Sequence, residues 1–157
     1  MSLAVKEGEK LPDAVLDSYP SPEKKKLSDY RGKWLVLYFY PRDDTPGCTK
    51  EACGFRDTNA ELVKLGASVV GVSTDSVESH KKFHQKYSLN FTLLSDPKGE
   101  LGKRLGVLNE GSSHLSMRRV TLIVDPSGTV RKVYPKVDPS VHSEEILKDL
   151  KRMITSA

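Results

Sequence analysis

The segment that most limits what this chain can fold into is an apolar run at residues 34–40, Trp-Leu-Val-Leu-Tyr-Phe-Tyr. It leads through a prolyl loop into a helical pattern that holds both cysteines, Cys48 and Cys53. The run has the length and aromatic content of a buried strand. Thr45 is a good N-cap and Pro46 suits the first helical position, so a helix starting there makes Cys48 its third residue. A thiol at that place faces free backbone N–H groups and the positive end of the helix dipole, both of which favour thiolate over thiol. Strand, loop and helix start together place a nucleophilic sulfur.

Short apolar runs alternate with helical patterns along the rest of the chain, the mark of an α/β domain with helices covering a sheet. Residues 14–27 read as two short strands around Tyr19-Pro20-Ser21-Pro22. The helix from 46 runs to 65 and stops at Gly66, as a C′ glycine would stop it. Further strands are expected at 67–73, 91–95, 119–124 and 129–134. The last two flank Asp125-Pro126-Ser127-Gly128, a hairpin signal. Helices are expected at 76–87, 98–105 and 143–154. No shift in composition marks an internal boundary, so the 157 residues are expected to form a single domain.

A net charge of +4 invites a nucleic-acid reading, yet the charge is dispersed. Lys24-Lys25-Lys26 has no aromatic platform interleaved with it and reads as a solvated turn, so no nucleic-acid partner is expected. No apolar run approaches the roughly 20 residues of a membrane helix, and the first residues lack the apolar stretch of a secretory signal. A cytoplasmic, thiol-reducing setting is expected, with an organelle reached through a removed targeting peptide left open. Two closely spaced cysteines in such a setting point to redox or metal chemistry over a structural staple. His80 and His84 share a helix face, but no third ligand type is near in sequence, and they read as a solvated face. There is no Gly-rich phosphate loop and no dinucleotide fingerprint; no cofactor or metal is expected.

The cysteine spacing has a mechanical consequence. Residues five apart on an ideal helix are separated by about 140° and a rise of about 7.5 Å, which puts their Cα atoms roughly 8.7 Å apart. A disulfide tolerates about 7 Å at most. If Cys48 and Cys53 both lie on the helix, oxidation to a disulfide requires its first turns to unwind, which the loop at Pro46 and Gly47 and the glycine at Gly54 would ease.

Pro41, Thr45 and Cys48 resemble the active-site loop of the peroxiredoxins. Cys53 resembles the resolving cysteine of the peroxiredoxin Q or bacterioferritin comigratory protein subfamily, and Arg119-Val120-Thr121 resembles its arginine strand. The resemblance runs from about Val5 to the C-terminal helix. Leu108 and Leu122 depart from it, standing where the subfamily often has aromatic residues at the pocket wall. The resemblance implies a thioredoxin-like fold of the peroxiredoxin type: a central mixed sheet flanked by helices, with an N-terminal β-hairpin extension. It also implies a thiol-dependent peroxidase acting on hydrogen peroxide and organic hydroperoxides. Cys48 would become a sulfenic acid and Cys53 would resolve it as an intramolecular disulfide that thioredoxin reduces. The Thr45 hydroxyl, the Cys48 N–H and the Arg119 guanidinium would stabilise charge on the peroxide oxygens, Pro41 would shield the site, and the protein would work as a monomer.

Taken without the resemblance, several of these residues keep structural readings. Thr45 serves equally as an N-cap, and Arg119 as a surface charge with Arg118 as the competing candidate one residue away. Glu51 reads as a first-turn acid complementing the helix dipole and opposing the thiolate. His114 reads as a loop residue at the surface. A thiol–disulfide oxidoreductase would want Cys-X-X-Cys in place of the observed spacing, and a basic binding module would leave both cysteines incidental.

Overall fold

The apolar run lies at the centre of a sheet, and the other elements are arranged about its two faces. The structure is a computed structural model that describes residues 3–109 and 115–156. In chain order its elements are β1 (Val15–Tyr19), β2 (Lys25–Lys26), a 3-10 turn (Leu27–Tyr30), β3 (Trp34–Phe39), α1 (Pro46–Lys64) and β4 (Ala67–Ser73). They continue with α2 (Val77–Lys86), β5 (Thr92–Ser95), α3 (Glu100–Leu105), β6 (Val120–Val124), β7 (Val130–Tyr134) and α4 (His142–Ser156). The strands form one sheet in the order β2-β1-β5-β4-β3-β6-β7. β3, β4 and β5 are parallel, whereas β6 runs antiparallel to β3, β7 to β6, and β1 to β5. This is the expected mixed sheet, with the β1–β2 hairpin as its N-terminal extension.

Every residue of β3 is buried, because helices or loops cover both sides of it. Its pleat divides the core. Trp34, Val36 and Tyr38 face a layer made by Ala52, Phe55 and Leu62 of α1, Phe83 of α2 and Ile146, Leu147 and Leu150 of α4. Leu35, Leu37 and Phe39 face the opposite layer, built from α3, β6 and the N-terminal segment. α1 ends as expected: Leu65 caps it, and Gly66 follows in the left-handed region at φ +80°. The Gly66 carbonyl then accepts the Trp34 N–H at 3.0 Å, which joins the helix end to the start of the central strand.

Two expectations shift. The helix placed at 98–105 begins only at Glu100, because Gly99 turns left-handed and the Asp96 carboxylate receives the N–H groups of Leu101 and Gly102. The 3-10 turn at Leu27–Tyr30 was not anticipated; it is held by the Asp29 side chain on the Lys26 N–H and by Asp13 on the Ser28 N–H, the latter contact spanning distant sequence.

Candidate active site

Three elements meet at the end of β3. The pairing of Phe39 with Val120 sets Arg119, the residue before β6, beside the loop that leaves β3 and enters α1. Cys48 lies in the first turn of α1 and is 1% exposed. Arg119 Nη2 donates to Cys48 Sγ at 3.4 Å, and Arg119 Nη1 to Glu51 Oε1 at 2.9 Å. Room for the guanidinium depends on Gly47, since a Cβ there would stand 3.0 Å from Nη2. Burial by itself would lower the Arg119 pKa; the charges of Cys48 and Glu51 outweigh it and hold Arg119 above its ordinary value. It therefore stays cationic and touches both groups. Arg118 turns elsewhere, donating to the Gly106 carbonyl at 3.4 Å.

Glu51, expected as a first-turn acid complementing the helix dipole, lies beyond that turn and inside the site. Its side chain is fully buried, one oxygen paired with Arg119 and Oε2 without a partner among the described residues. Burial, only partly offset by Arg119, pushes its pKa up to about 7. Near neutral pH a substantial fraction is uncharged, which relaxes the opposition to a thiolate that a permanent charge would impose. Behind it Tyr38 stacks on Phe55 and holds a buried hydroxyl with no partner among the described residues. Burial, then the nearby Glu51 and Cys48, raise that hydroxyl's pKa well above the usual phenol.

Thr45 occupies the N-cap position of α1, and its carbonyl accepts the Thr49 N–H at 2.8 Å. Its hydroxyl does not cap, however; it donates to the Arg42 carbonyl at 3.0 Å. The side chain is thus oriented by the loop, with its oxygen lone pairs left to accept a further hydrogen bond. Pro41 is half-buried in the same loop. Cys53 lies inside α1, half-buried, and both thiols are free. The helical separation derived from the sequence therefore applies. The next residue, Gly54, is the packing point of α4: a Cβ there would stand 2.7 Å from Ser143 Oγ.

Other expectations are corrected. His80 is fully buried, bonding Asp43 Oδ2 through Nδ1 at 2.7 Å and the Leu94 carbonyl through Nε2 at 2.8 Å. His84 is half-buried against the Phe91 carbonyl at 3.1 Å, so the pair is no solvated face. His80, Asp43 and Asp75 bring ligand-type atoms within 4.8 Å of one another. Hydrogen bonds already occupy the oxygens that meet there: Asp43 Oδ2 takes His80 and Ser79, and Asp75 Oδ2 takes Ser73 and the Asp43 N–H. Leu108 and Leu122 pack on the sheet face away from Cys48 and do not line its layer. His114 lies outside the described residues.

Sequence reasoning missed Asp43, and for Glu51 it missed the burial and the pairing with Arg119. The available signal was weak: an aspartate pair inside the loop, and a glutamate one turn after Cys48 on the side of α1 that meets the sheet.

Residues 8–133 match the model of the AhpC/TSA family. The chain is 42% identical over 155 residues to peroxiredoxin Bcp of Bacillus subtilis, covering 96% of this chain and 98% of that protein. It is 48% identical over 128 residues to the chloroplastic peroxiredoxin Q of Sedum lineare, covering 81% of this chain and 68% of that one. A solved structure of the Xanthomonas campestris bacterioferritin comigratory protein, described for its alkyl peroxide reduction, superposes with a TM-score of 0.86 at 34% identity, covering 95% and 99% of the two chains. The sheet and helices are therefore the thioredoxin-like fold of the peroxiredoxins. The chain belongs to the AhpC/TSA family, in its Bcp and peroxiredoxin Q branch, and is a thiol-dependent peroxidase.

Proposed function

We propose that Cys48 is the peroxidatic residue and Cys53 the resolving one, in a cycle completed within one chain. The observation that carries this reading is the Arg119 guanidinium on the Cys48 sulfur at 3.4 Å, at the start of α1. Guanidinium and helix N-terminus both stabilise negative charge on sulfur. The thiolate attacks the distal oxygen of a hydroperoxide: an S–O bond forms, the O–O bond breaks, sulfur is oxidised, and the leaving oxygen takes a proton to become water or an alcohol. Arg119 and the Cys48 N–H face the charge that develops on the peroxide oxygens. Thr45, whose own hydrogen is committed to Arg42, acts as acceptor for the peroxide O–H. Pro41 screens the loop from water.

Cys53 then attacks the sulfenic sulfur, forming the S–S bond and releasing water, which protects Cys48 from further oxidation. A dithiol, with thioredoxin the expected donor, reduces the disulfide. Substrates are hydrogen peroxide and organic hydroperoxides, the latter supported by the alkyl peroxide reduction of the Xanthomonas relative. Because both thiols belong to one chain, the single-domain monomer suffices, in the cytoplasm or in an organelle such as the one that houses the Sedum relative.

The test is turnover with thioredoxin, its reductase and NADPH. Cys48→Ser should abolish peroxide consumption. Cys53→Ser should still react once, accumulating a sulfenic acid that a dimedone-type probe labels. Equal loss of the first turnover in both variants would overturn the assignment.

A further inference from the structure

The loop between β3 and α1 is fastened to α2 by two consecutive aspartates, neither of which contacts Cys48 in the hydrogen-bond network. Asp43 is nearly buried and takes four contacts: Tyr40 Oη donates to Oδ1 at 2.6 Å, His80 Nδ1 and Ser79 Oγ meet Oδ2 at 2.7 and 2.8 Å, and its own N–H donates to Asp75 Oδ2 at 2.8 Å. Asp44 stands in the left-handed region at φ 58° and accepts from Tyr87 Oη at 2.7 Å and Lys86 Nζ at 2.8 Å. The Thr45 hydroxyl donates back across these two anchors to the Arg42 carbonyl, closing the turn ahead of α1. The orientation of Thr45 thus depends on a turn whose inner fastening is His80.

His80 is fixed from both ends. A carbonyl only accepts, so the Leu94 contact requires a hydrogen on Nε2, and Nδ1 and Asp43 Oδ2 then share one proton between them. The contact lies where neither side chain reaches solvent, since they are 0% and 3% exposed. A buried carboxylate deprived of that partner would have to move toward water or toward another donor, and the turn would move with it.

We propose that His80 and Asp43 are positioning residues for the peroxidase reaction: the buried pair holds the turn that orients the Thr45 hydroxyl, and acts on peroxide through that hydroxyl. The proposal rests on the reading of Thr45 given above as a group that contacts peroxide. It concerns the loop fastening, not the thiolate.

Two substitutions separate the ends of the imidazole. An asparagine amide reaches the place of Nδ1 and keeps the contact with Asp43; a glutamine amide reaches the place of Nε2 and keeps only the contact with Leu94. The rate of Cys48 oxidation by hydrogen peroxide in a single turnover should fall about 10-fold or more in His80→Gln, the scale of a small misplacement of a reacting geometry. In His80→Asn it should stay close to wild type. Alkylation of Cys48 by iodoacetamide, which needs the thiolate and not Thr45, should be alike in all of them. The double variant His80→Gln with Thr45→Val should be no slower than Thr45→Val alone. Equal slowing in the asparagine and glutamine variants, a parallel fall in alkylation, or additive effects with Thr45→Val would each overturn the positioning role. A Thr45→Val variant as fast as wild type would instead remove the Thr45 reading itself, and the proposal with it. If His80→Gln fails to fold, Ser79→Ala takes its place, since it deletes a donor to the same Asp43 oxygen. It should slow peroxide oxidation by a smaller factor, again without additivity, and no slowing would overturn the proposal.

Discussion

Arg119 divides its guanidinium between two acidic groups, and much of the site's behaviour follows from that division. Arg119→Met removes the donor on the Cys48 sulfur and should slow its oxidation by peroxide by on the order of 100-fold or more, the scale of one lost preorganised donor. Arg118→Met should change it little, because that side chain is engaged at Gly106; stopped-flow oxidation of the two variants decides the matter. Glu51 supplies a pH signature. Its folded pKa is raised from 4.5 to about 7, so the fold prefers the neutral acid. This favours the folded state most below pH 4.5, and the advantage is lost as pH rises from there to about 7. The shift corresponds to about 3 kcal/mol. Glu51→Gln removes the titration, so the unfolding free energy of the variant minus that of wild type should grow by about that amount between pH 4.5 and pH 7. Denaturant titrations in that range measure it, and a flat difference would contradict the burial assigned to Glu51. At this scale the sequence was legible where local backbone chemistry fixed the geometry, as for Cys48 at a helix start; Arg119 stood apart from Arg118 only through the family resemblance. The surroundings of Glu51, read as a first-turn acid, and of His80, read on a solvated face, were misjudged because both are buried by strands and helices distant in sequence.

Among the elements, α1 has two unequal halves. Beyond Cys53 it is pinned on both sides. Arg56 donates to the Tyr87 carbonyl at 2.7 Å, and Asn59 and Asn90 lace it to the segment before β5. Phe55 meets the edge of His142, and Gly54 seats Ser143 of α4. An exposed helical glycine replaced by alanine would gain stability. Gly54→Ala should instead lose about 1–3 kcal/mol, the range for overpacking, and Ser143→Ala should recover part of it because the colliding oxygen is gone; thermal denaturation of the single and double variants measures this. The half from Cys48 to Cys53 is held by Arg119 and by the burial of Cys48 and Ala52 in the core, and it must rearrange if the thiols are to bond. Amides of residues 49–55 should be protected from hydrogen exchange in reduced protein and lose that protection on oxidation, while β3 and β4 keep theirs. Identical exchange in the two states, with the disulfide confirmed, would mean that bonding needs no unwinding. The ends of α1 and α2 were readable because Pro46, Gly66 and Ser76 act through local backbone chemistry, with Ser76 accepting the Ser79 N–H as an N-cap should. Thr45 followed the same rule in position and not in bonding, its hydroxyl donating to the Arg42 carbonyl.

For the whole molecule, the central strand carries the design. Its pleat gives one face to α1, α2 and α4 and the other to α3 and β6, so the loop that carries Thr45 emerges from the buried centre of the sheet and rests on α2. A rigid frame of this kind would keep Arg119 and the loop in place if the first turns of α1 unwind for the proposed disulfide, and that unwinding would present the disulfide to its reductant. The alternation of runs was enough to read an α/β order, because period and length are local properties. The sheet order and the antiparallel β6 that delivers Arg119 were not, because strand pairing is set by contacts between segments far apart in sequence. The central claim is that one chain converts one peroxide into one bond between its own two cysteines. The direct measurement is the intact mass and peptide map of reduced protein after one equivalent of hydrogen peroxide. The expected product is a monomer that has lost the hydrogens of both thiols, with the peptides holding Cys48 and Cys53 cross-linked within one chain. Both thiols still free beside unconsumed peroxide, or a dimer joined between chains, would contradict it.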